Sequence, residues 1–448
     1  MILKRIPALA ALLLSSTGVT AALPSAPAAA PVDPVLYTIR SGDNLYTLAK
    51  RYLIHLEDYI RVQRLNRVRD PYRLPEGQVL RIPRSMLRYE LLSATVIACR
   101  GEVGVGKNGR FRSAEAGSAV REGDEIVTED NGFVSLRLPD RSVVSLPSRS
   151  QIGVRRLRRI LLTGGIERLF GIVAGRARVI VTPVKNRDDS FRVSTPVAVS
   201  AVRGTEFRVR YDVESDRGAT EVLEGRVSVA TMGSKAKPTL TLAAGFGTIA
   251  MPSGVAESTP LLPAPTLQQP GRIQDGPALN FQVAPLDSAV AYHVQVASDA
   301  GLLDVAEEIT APAPSLVLPP VPDGIWFVRI SAIDASGIEG LPSTYGFQRR
   351  FQRIKTGLDR RKAGRYREYL FRWVVEGAGA RQYRFQLMKD RPDATPMIDE
   401  AGLTTDRFAV TDLPPGTYYW RLMSAMFVDG AAFPKWSPVE RLTIARNE

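Results

Sequence analysis

FRVSTPVAVSAVRGTEFRVRY, residues 191–211, decides the fold class. Apolar and polar residues alternate along it, β-branched side chains dominate, and Pro196 and Gly204 interrupt it at two points. That is the pattern of short, half-buried strands joined by tight turns. The pattern continues on both sides. FVSLRL (133–138) places Val134, Leu136 and Leu138 on one face and Ser135 and Arg137 on the other, with a turn at Pro139-Asp140 before SVVSL. RARVIVTP (176–183) and ATEVLEGRVSVA (219–230) repeat it, so residues 93–250 read as a strand-rich domain with no helix of consequence.

Towards the N-terminus the period changes. In YTIRSGDNLYTLAKRY (37–52), Tyr37, Thr38 and Ile39 read as a strand, Gly42 frees a turn, and Asp43 or Asn44 can cap a helix. Leu45, Leu48, Ala49 and Tyr52 then recur at helical spacing. A second helix carries Leu56, Tyr59, Ile60 and Val62 to Asn66, and RLPEGQVLRIP (73–83) turns at Gly77-Gln78 into a strand of Val79, Leu80 and Ile82. Residues 35–84 are thus expected to be a strand, helix, helix, strand module.

Before this module, Lys4 and Arg5, an apolar run from Ile6 to Leu14 and small residues up to Ala22 make residues 1–22 a signal peptide, expected to be cleaved. Residues 23–34 form a Pro/Ala-rich linker. No later stretch offers the roughly 20 uninterrupted apolar residues of a membrane helix, so an exported protein with no membrane span is expected.

After the central domain, the Pro-rich stretch 251–271 reads as a second linker. The C-terminal remainder contains a repeat. DGIWFVRISA (323–332) aligns with PGTYYWRLMS (415–424), pairing Gly324 with Gly416 and Arg329 with Arg421. A period of roughly 90 residues fits one small β-sandwich rather than a solenoid unit. The expectation is two tandem sandwiches, 272–348 and 349–448, the second preceded by a basic connector (349–367). Trp326, Tyr418 and Trp420 are expected in cores or along strand faces; Trp373 and Trp436 are the alternative candidates for a carbohydrate platform. The whole chain is therefore expected to be multidomain and mainly β, with one small helical module.

The formal net charge of +13, or +11 without Lys4 and Arg5, suits contact with anionic wall polymer or lipid headgroups; no nucleic-acid partner is expected outside the cytoplasm. Arg155, Arg156, Arg158 and Arg159 form the densest basic cluster of the central domain, either a solvated face or a contact for a partner or anionic surface. The single cysteine, Cys99, excludes an internal disulfide and reads as a buried strand residue. With two histidines, His55 and His293, in different expected domains, there is no basis for a zinc site or a Cys-His nucleophile. His55 reads as a packed or surface residue. No catalytic residue, metal ligand or cofactor is expected.

The module at 35–84 resembles a LysM domain, through Tyr37-Thr38-Ile39, Ser41 to Leu45, Ala49, Tyr52, Leu65-Asn66, Gly77 to Leu80 and Ile82-Pro83. The resemblance implies binding of peptidoglycan or a related N-acetylglucosamine polymer in a shallow groove between two loops. In this sequence those loops carry Gly42, Asp43, Asn44, Leu45 and Tyr46, and Asp70, Pro71, Tyr72, Arg73 and Leu74. Asn44 stands where the family usually has threonine. Backbone groups and the side chains of Leu45, Tyr72 and Leu74 match an acetamido sugar without a charged clamp, although Leu45 and Leu74 also read as core. Tyr72, beside Pro71, is the expected stacking platform.

The central domain is similar to FecR domains. The residues are Gly123-Asp124 with Thr128, Leu138 to Ser142, Thr195-Pro196, Arg203 to Phe207, and Glu224 to Val227; Arg141 stands where the family usually turns with glycine. FecR proteins pair this domain with a membrane helix and a cytoplasmic anti-sigma segment, for which this sequence offers no candidate. Arg203 is placed either towards a partner carboxylate or in an internal pair with Glu206. The C-terminal repeats resemble fibronectin type III domains in layout. Together these features describe a non-enzymatic periplasmic protein that holds glycan and displays its other domains to an envelope protein partner. The alternatives are an envelope-signal regulator and an accessory factor of a wall hydrolase.

Overall fold

A computed structural model of the chain describes residues 34–183, 186–233, 239–363 and 366–445. The expected signal peptide (1–22) and all of the first linker except Pro34 lie outside them.

The N-terminal module has the expected order. Strand Val35–Thr38 pairs antiparallel with Val79–Ile82, and helices Leu45–Tyr52 and Asp58–Asn66 lie between them in sequence. Leu45, Leu48, Ala49, Val62, Leu80 and Ile82 are buried together. The second helix begins at Asp58, so Leu56 precedes it, and Ile60 is exposed. This module is not a bead on a string, because its core also takes Ile160 and, at its edge, Leu162. Leu161 N donates to Arg88 O at 3.0 Å, and Arg84 reaches Glu167 at 3.4 Å and Asp188 at 3.7 Å. The hairpin of the next domain is therefore a wall of this module's core.

Strands from Tyr89–Leu91 to Thr259–Pro260 close into a barrel-like system. The 15-residue strand Ile166–Ile180 organises it, pairing with Ser150–Ile160 along its first part and with Glu206–Asp212 along its second. It also pairs in parallel with Ser190–Ser194. Thr195-Pro196 makes the corner to Ala198–Val202, where Thr195 Oγ1 accepts from Ala198 N at 3.0 Å. Gly204 (φ +67°) makes the next corner, packed so closely that a Cβ would lie 3.1 Å from Pro183 Cα. Arg141 turns with φ +72°, the left-handed conformation that glycine takes without strain.

Three expectations about this domain change. Ser135 is buried, bonded to Ser145 at 2.7 Å, because the first sandwich covers the face that carries Phe133 and Ser135. Arg203 does not pair with Glu206; Glu206 pairs with Arg178 at 2.7 Å, and Arg203 reaches Arg187 O. Cys99 does sit on a strand, Ser93–Arg100, but is only half-buried, near a sheet end.

The C-terminal half holds two sandwiches. In the first, Leu267–Gln268, Leu279–Val283 and Ser315–Leu318 form one sheet, and Val305–Ala311, Ala289–Ala297, Gly324–Asp334 and Ser343–Arg349 the other, in those orders. In the second, Arg353–Ala363, Tyr366–Glu376 and Arg407–Thr411 face Ile398–Leu403, Ala380–Lys389 and Gly416–Val428, the last flanked by Ala431–Trp436 and Glu440–Ile444. The first sandwich is three strands on four and the second three on five, where Ala431–Trp436 and Glu440–Ile444 share the edge beside Gly416–Val428; this order is that of a fibronectin type III sandwich. The repeat shows in detail: Trp326 Nε1 donates to Pro322 O at 2.9 Å, and Tyr418 OH donates to Pro414 O at 2.8 Å, the same corner in each copy.

Two boundaries differ from those expected of the sequence. Residues 251–271 are not a free spacer, since Gly254–Val255 and Thr259–Pro260 pair with Phe246–Met251, and Leu267–Gln268 joins the first sandwich. The basic stretch 349–367 supplies the first strand of the second sandwich, and Arg349 is buried, donating to Gln274 O and Gly276 O.

Between the barrel and the first sandwich lies a charged seam. Arg208 donates to Glu339 Oε1 at 2.6 Å and to Gly340 O at 2.7 Å. His293 lies between Glu339 (3.0 Å) and Glu308 (2.5 Å), and Ser148 of the barrel donates to Glu308 at 3.2 Å. Phe133 packs with Ala297, Leu302 and Val305 beside it.

Candidate glycan-binding site

The two loops of the N-terminal module meet. Gly42 takes φ +84° with nothing within 4 Å of where a Cβ would stand, so the first turn is open to solvent. Leu45 N donates to Pro71 O at 2.8 Å and ties the first loop to the second. Asn44 caps the helix, its Oδ1 accepting from Thr47 N at 2.8 Å. Asp43 Oδ2 accepts from Tyr37 OH at 2.7 Å and from Arg40 N at 2.8 Å. Burial, then the bond to Asp43, push the Tyr37 phenol up to about 12. In the second loop Asp70 Oδ1 accepts from Tyr72 N at 2.9 Å, which fixes the turn.

Side-chain exposure sorts the ten candidates. Leu45 is core, and Leu74 is partly buried against that core. Asn44, Asp43 and Asp70 each hold their own loop. Tyr72 is 65% exposed and Tyr46 39%, the latter set edge-to-face against Tyr59 at 6.4 Å. Two aromatic rings, Tyr46 in the first turn of the helix and Tyr72 on the second loop, beside backbone amides and carbonyls, offer what an acetamido sugar needs: apolar faces for the ring and donors and acceptors for the amide. Tyr59 is expected from the sequence only as part of the helix core; its spacing to Tyr46 carries no signal of their contact.

The four arginines of Ser150–Ile160 do not form one free patch. Arg158 pairs with Glu167 at 2.8 Å and lies 4.2 Å over the Tyr89 ring, and Arg159 pairs with Glu90 at 2.9 Å. Arg155 lies along the flat strip left by Gly153 and Gly171, and Arg156 is half-buried. Trp373 is buried, so it is no sugar platform, whereas Trp436 is 36% exposed with the Arg421 guanidinium 4.3 Å over its ring. His55 is exposed. Among the described residues, no group of three or more His, Cys, Asp or Glu is arranged to hold a metal, and no helix is long and apolar enough to cross a membrane.

Residues 37–83 match the family model of the LysM domain, and residues 124–228 match that of FecR protein. The chain therefore carries a LysM domain and a FecR domain. The LysM match points to glycan binding and the FecR match to envelope signalling. No curated protein matches the chain. Among solved structures it is similar to a candidate anti-sigma factor from Parabacteroides distasonis ATCC 8503, at 22% identity over 30% of this chain and 59% of that one, TM-score 0.25. It is also similar to a two-domain fibronectin type III segment of chicken tenascin (15%, 41% and 99%, TM-score 0.22). A further likeness is to fibronectin(III)-like modules of Clostridium thermocellum CbhA (10%, 40% and 94%, TM-score 0.20). The chain spans about 59% of the length of the first of these. The sandwich assignment stands on the strand orders.

Proposed function

We propose that this is a non-enzymatic periplasmic protein that holds N-acetylglucosamine-containing glycan, peptidoglycan above all, through the LysM loops, and presents its FecR domain and sandwiches to an envelope protein partner. The observation that carries the reading is the joined loop pair, with Tyr72 and Tyr46 exposed at its rim. One shallow site of this kind binds weakly, and retention on the wall comes from a polymer that offers many sites. Export by the N-terminal signal peptide places the protein where that polymer is. Titration of the full chain with N-acetylglucosamine oligomers, followed through the Tyr72 and Tyr46 ring resonances, tests it: those rings shift first and saturably, whereas shifts elsewhere, or none, would overturn the site.

A second reading, an envelope-signal regulator, is supported by the packing of the LysM core on Ile160 and Leu162 of the FecR hairpin. A glycan held by the first domain is then mechanically joined to the second. Constitutive association with a membrane sensor, lost when the FecR surface is altered, would favour it over a passive scaffold.

A further inference from the structure

The seam between the FecR domain and the first sandwich holds a partly open cavity of about 50 Å³, several times the room a single buried water needs. The barrel contributes Arg176, Arg178, Arg208 and Arg210 to its wall, and the sandwich contributes His293 and Arg329. Only two carboxylates, Glu221 and Glu339, line the cavity with them. Glu339 is committed to Arg208 and His293, and behind the wall Glu206 is committed to Arg178 and Glu308 to His293. Glu221 lies 3.8 Å from Arg208 and accepts from Glu339 N at 3.3 Å, and burial pushes its carboxyl up.

Two guanidiniums are left over. Arg329 donates through Nε to Thr344 Oγ1 at 3.1 Å, but its Nη1 is buried with no hydrogen-bond partner, and Arg210 Nε is likewise buried and unpartnered. Among the described residues no carboxylate pairs with either. Buried cationic donors without acceptors are costly and call for an anion. The lining also includes apolar side chains, among them Phe133, Val209, Leu302 and Ile333.

We propose that the seam cavity binds a small oxyanion, the carboxylate or phosphate group of a solute, on Arg329 and Arg210, and that the bound anion joins the FecR domain to the first sandwich. A guanidinium fork suits either oxyanion, and the apolar side chains leave space for a short alkyl chain behind a carboxylate. The site is separate from the LysM loops and independent of glycan binding.

Calorimetric titration of the full chain with sodium propionate and with sodium phosphate, against chloride at fixed ionic strength, tests the proposal. The expected result is one saturable equivalent of at least one of the two, weakened tenfold or more in Arg329→Met and less in Arg329→Lys. The exposed Arg353→Gln variant keeps wild-type affinity. Propionate alone identifies a carboxylate solute, and phosphate alone a phosphate group. If Arg329→Met fails to fold, Arg210→Met takes its place. Flat isotherms with wild-type protein for both anions, which would leave the cavity to water, overturn the proposal; so does equal affinity in wild type and a folded Arg329→Met.

Discussion

Leu45 N donates to Pro71 O at 2.8 Å, so the helix start of the first LysM loop and the turn of the second move as one surface. The bond fixes the spacing between Tyr46 and Tyr72 without using either side chain. It also explains why a buried leucine belongs to a binding motif: Leu45 anchors the loop from below while its amide holds the neighbour.

Tyr72→Ala removes a ring that is 65% exposed and packs on nothing the fold depends on. The expected outcome is a roughly tenfold loss of affinity for N-acetylglucosamine oligomers, the scale of one aromatic contact of about 1.4 kcal/mol. The thermal midpoint should stay unchanged. Leu45→Ala should do the reverse first, lowering stability by about 2–5 kcal/mol as a core truncation.

Asn44 departs from the family's threonine yet performs its capping role. Asn44→Thr is expected to keep stability within a few tenths of a kcal/mol, and Asn44→Ala to cost about 1 kcal/mol through loss of the acceptor for Thr47 N. Denaturant unfolding of the three proteins separates the outcomes.

Arg141 occupies a left-handed turn at φ +72° with an exposed side chain. Arg141→Gly relieves a backbone cost of about 1–2 kcal/mol, offset in part by the greater freedom of glycine in the unfolded chain. A net gain of up to about 1 kcal/mol in unfolding free energy is expected. A loss would mean that the Arg141 side chain stabilises the turn by more than the backbone strain.

The seam between the FecR domain and the first sandwich should be pH-sensitive in two directions. Burial alone would lower His293, but Glu339 and Glu308 outweigh it and hold the imidazole up at about 9. A group raised on folding contributes fully below its ordinary value of about 6.5, and that contribution is lost as pH rises through about 9. Against burial, Glu339 is held below the usual carboxylate range by Arg208 and His293, and Glu308 by His293 and Arg176, so their contribution is present at neutral pH and lost in acid. Arg208, Arg176 and Arg329 face the same cluster as guanidinium cations and shape only the background. Melting followed from acid to alkaline pH should therefore peak near neutrality. Glu339→Gln, which leaves Arg208 and His293 short of a counter-charge, should cost about 3–5 kcal/mol and flatten the alkaline limb.

The turns were legible in the sequence because turn chemistry is local. Thr195-Pro196 and Arg203 to Phe207 mark corners that the structure builds at those residues, and the spacing of Gly324 and Gly416 marks equivalent strand starts in the two sandwiches. Both LysM loops were readable too, though which of their residues face outward was not: Leu45 alternates between core and contact until the helix is placed. Ser135 looked solvent-facing because period-2 alternation describes one strand, not what another domain lays over it. Nearness in sequence offers Glu206 as one of two partners for Arg203, whereas the sheet brings Arg178 alongside Glu206 from another strand. His293 and Glu339 belong to one sandwich, but the partner that buries them, Arg208, comes from another domain, and no local pattern carries such docking.

Co-sedimentation with purified peptidoglycan sacculi, at low and high salt, tests the central claim most directly. The comparison is wild type against the double variant Tyr46→Ala and Tyr72→Ala. Deletion of residues 35–84 serves less well, since it would strip the cover from Ile160. Wild-type binding that survives high salt and falls at least tenfold in the folded double variant is the predicted result. Binding that collapses in salt and is unaltered by the two substitutions would contradict it, and would assign the hold on the wall to the basic surface instead of the LysM loops.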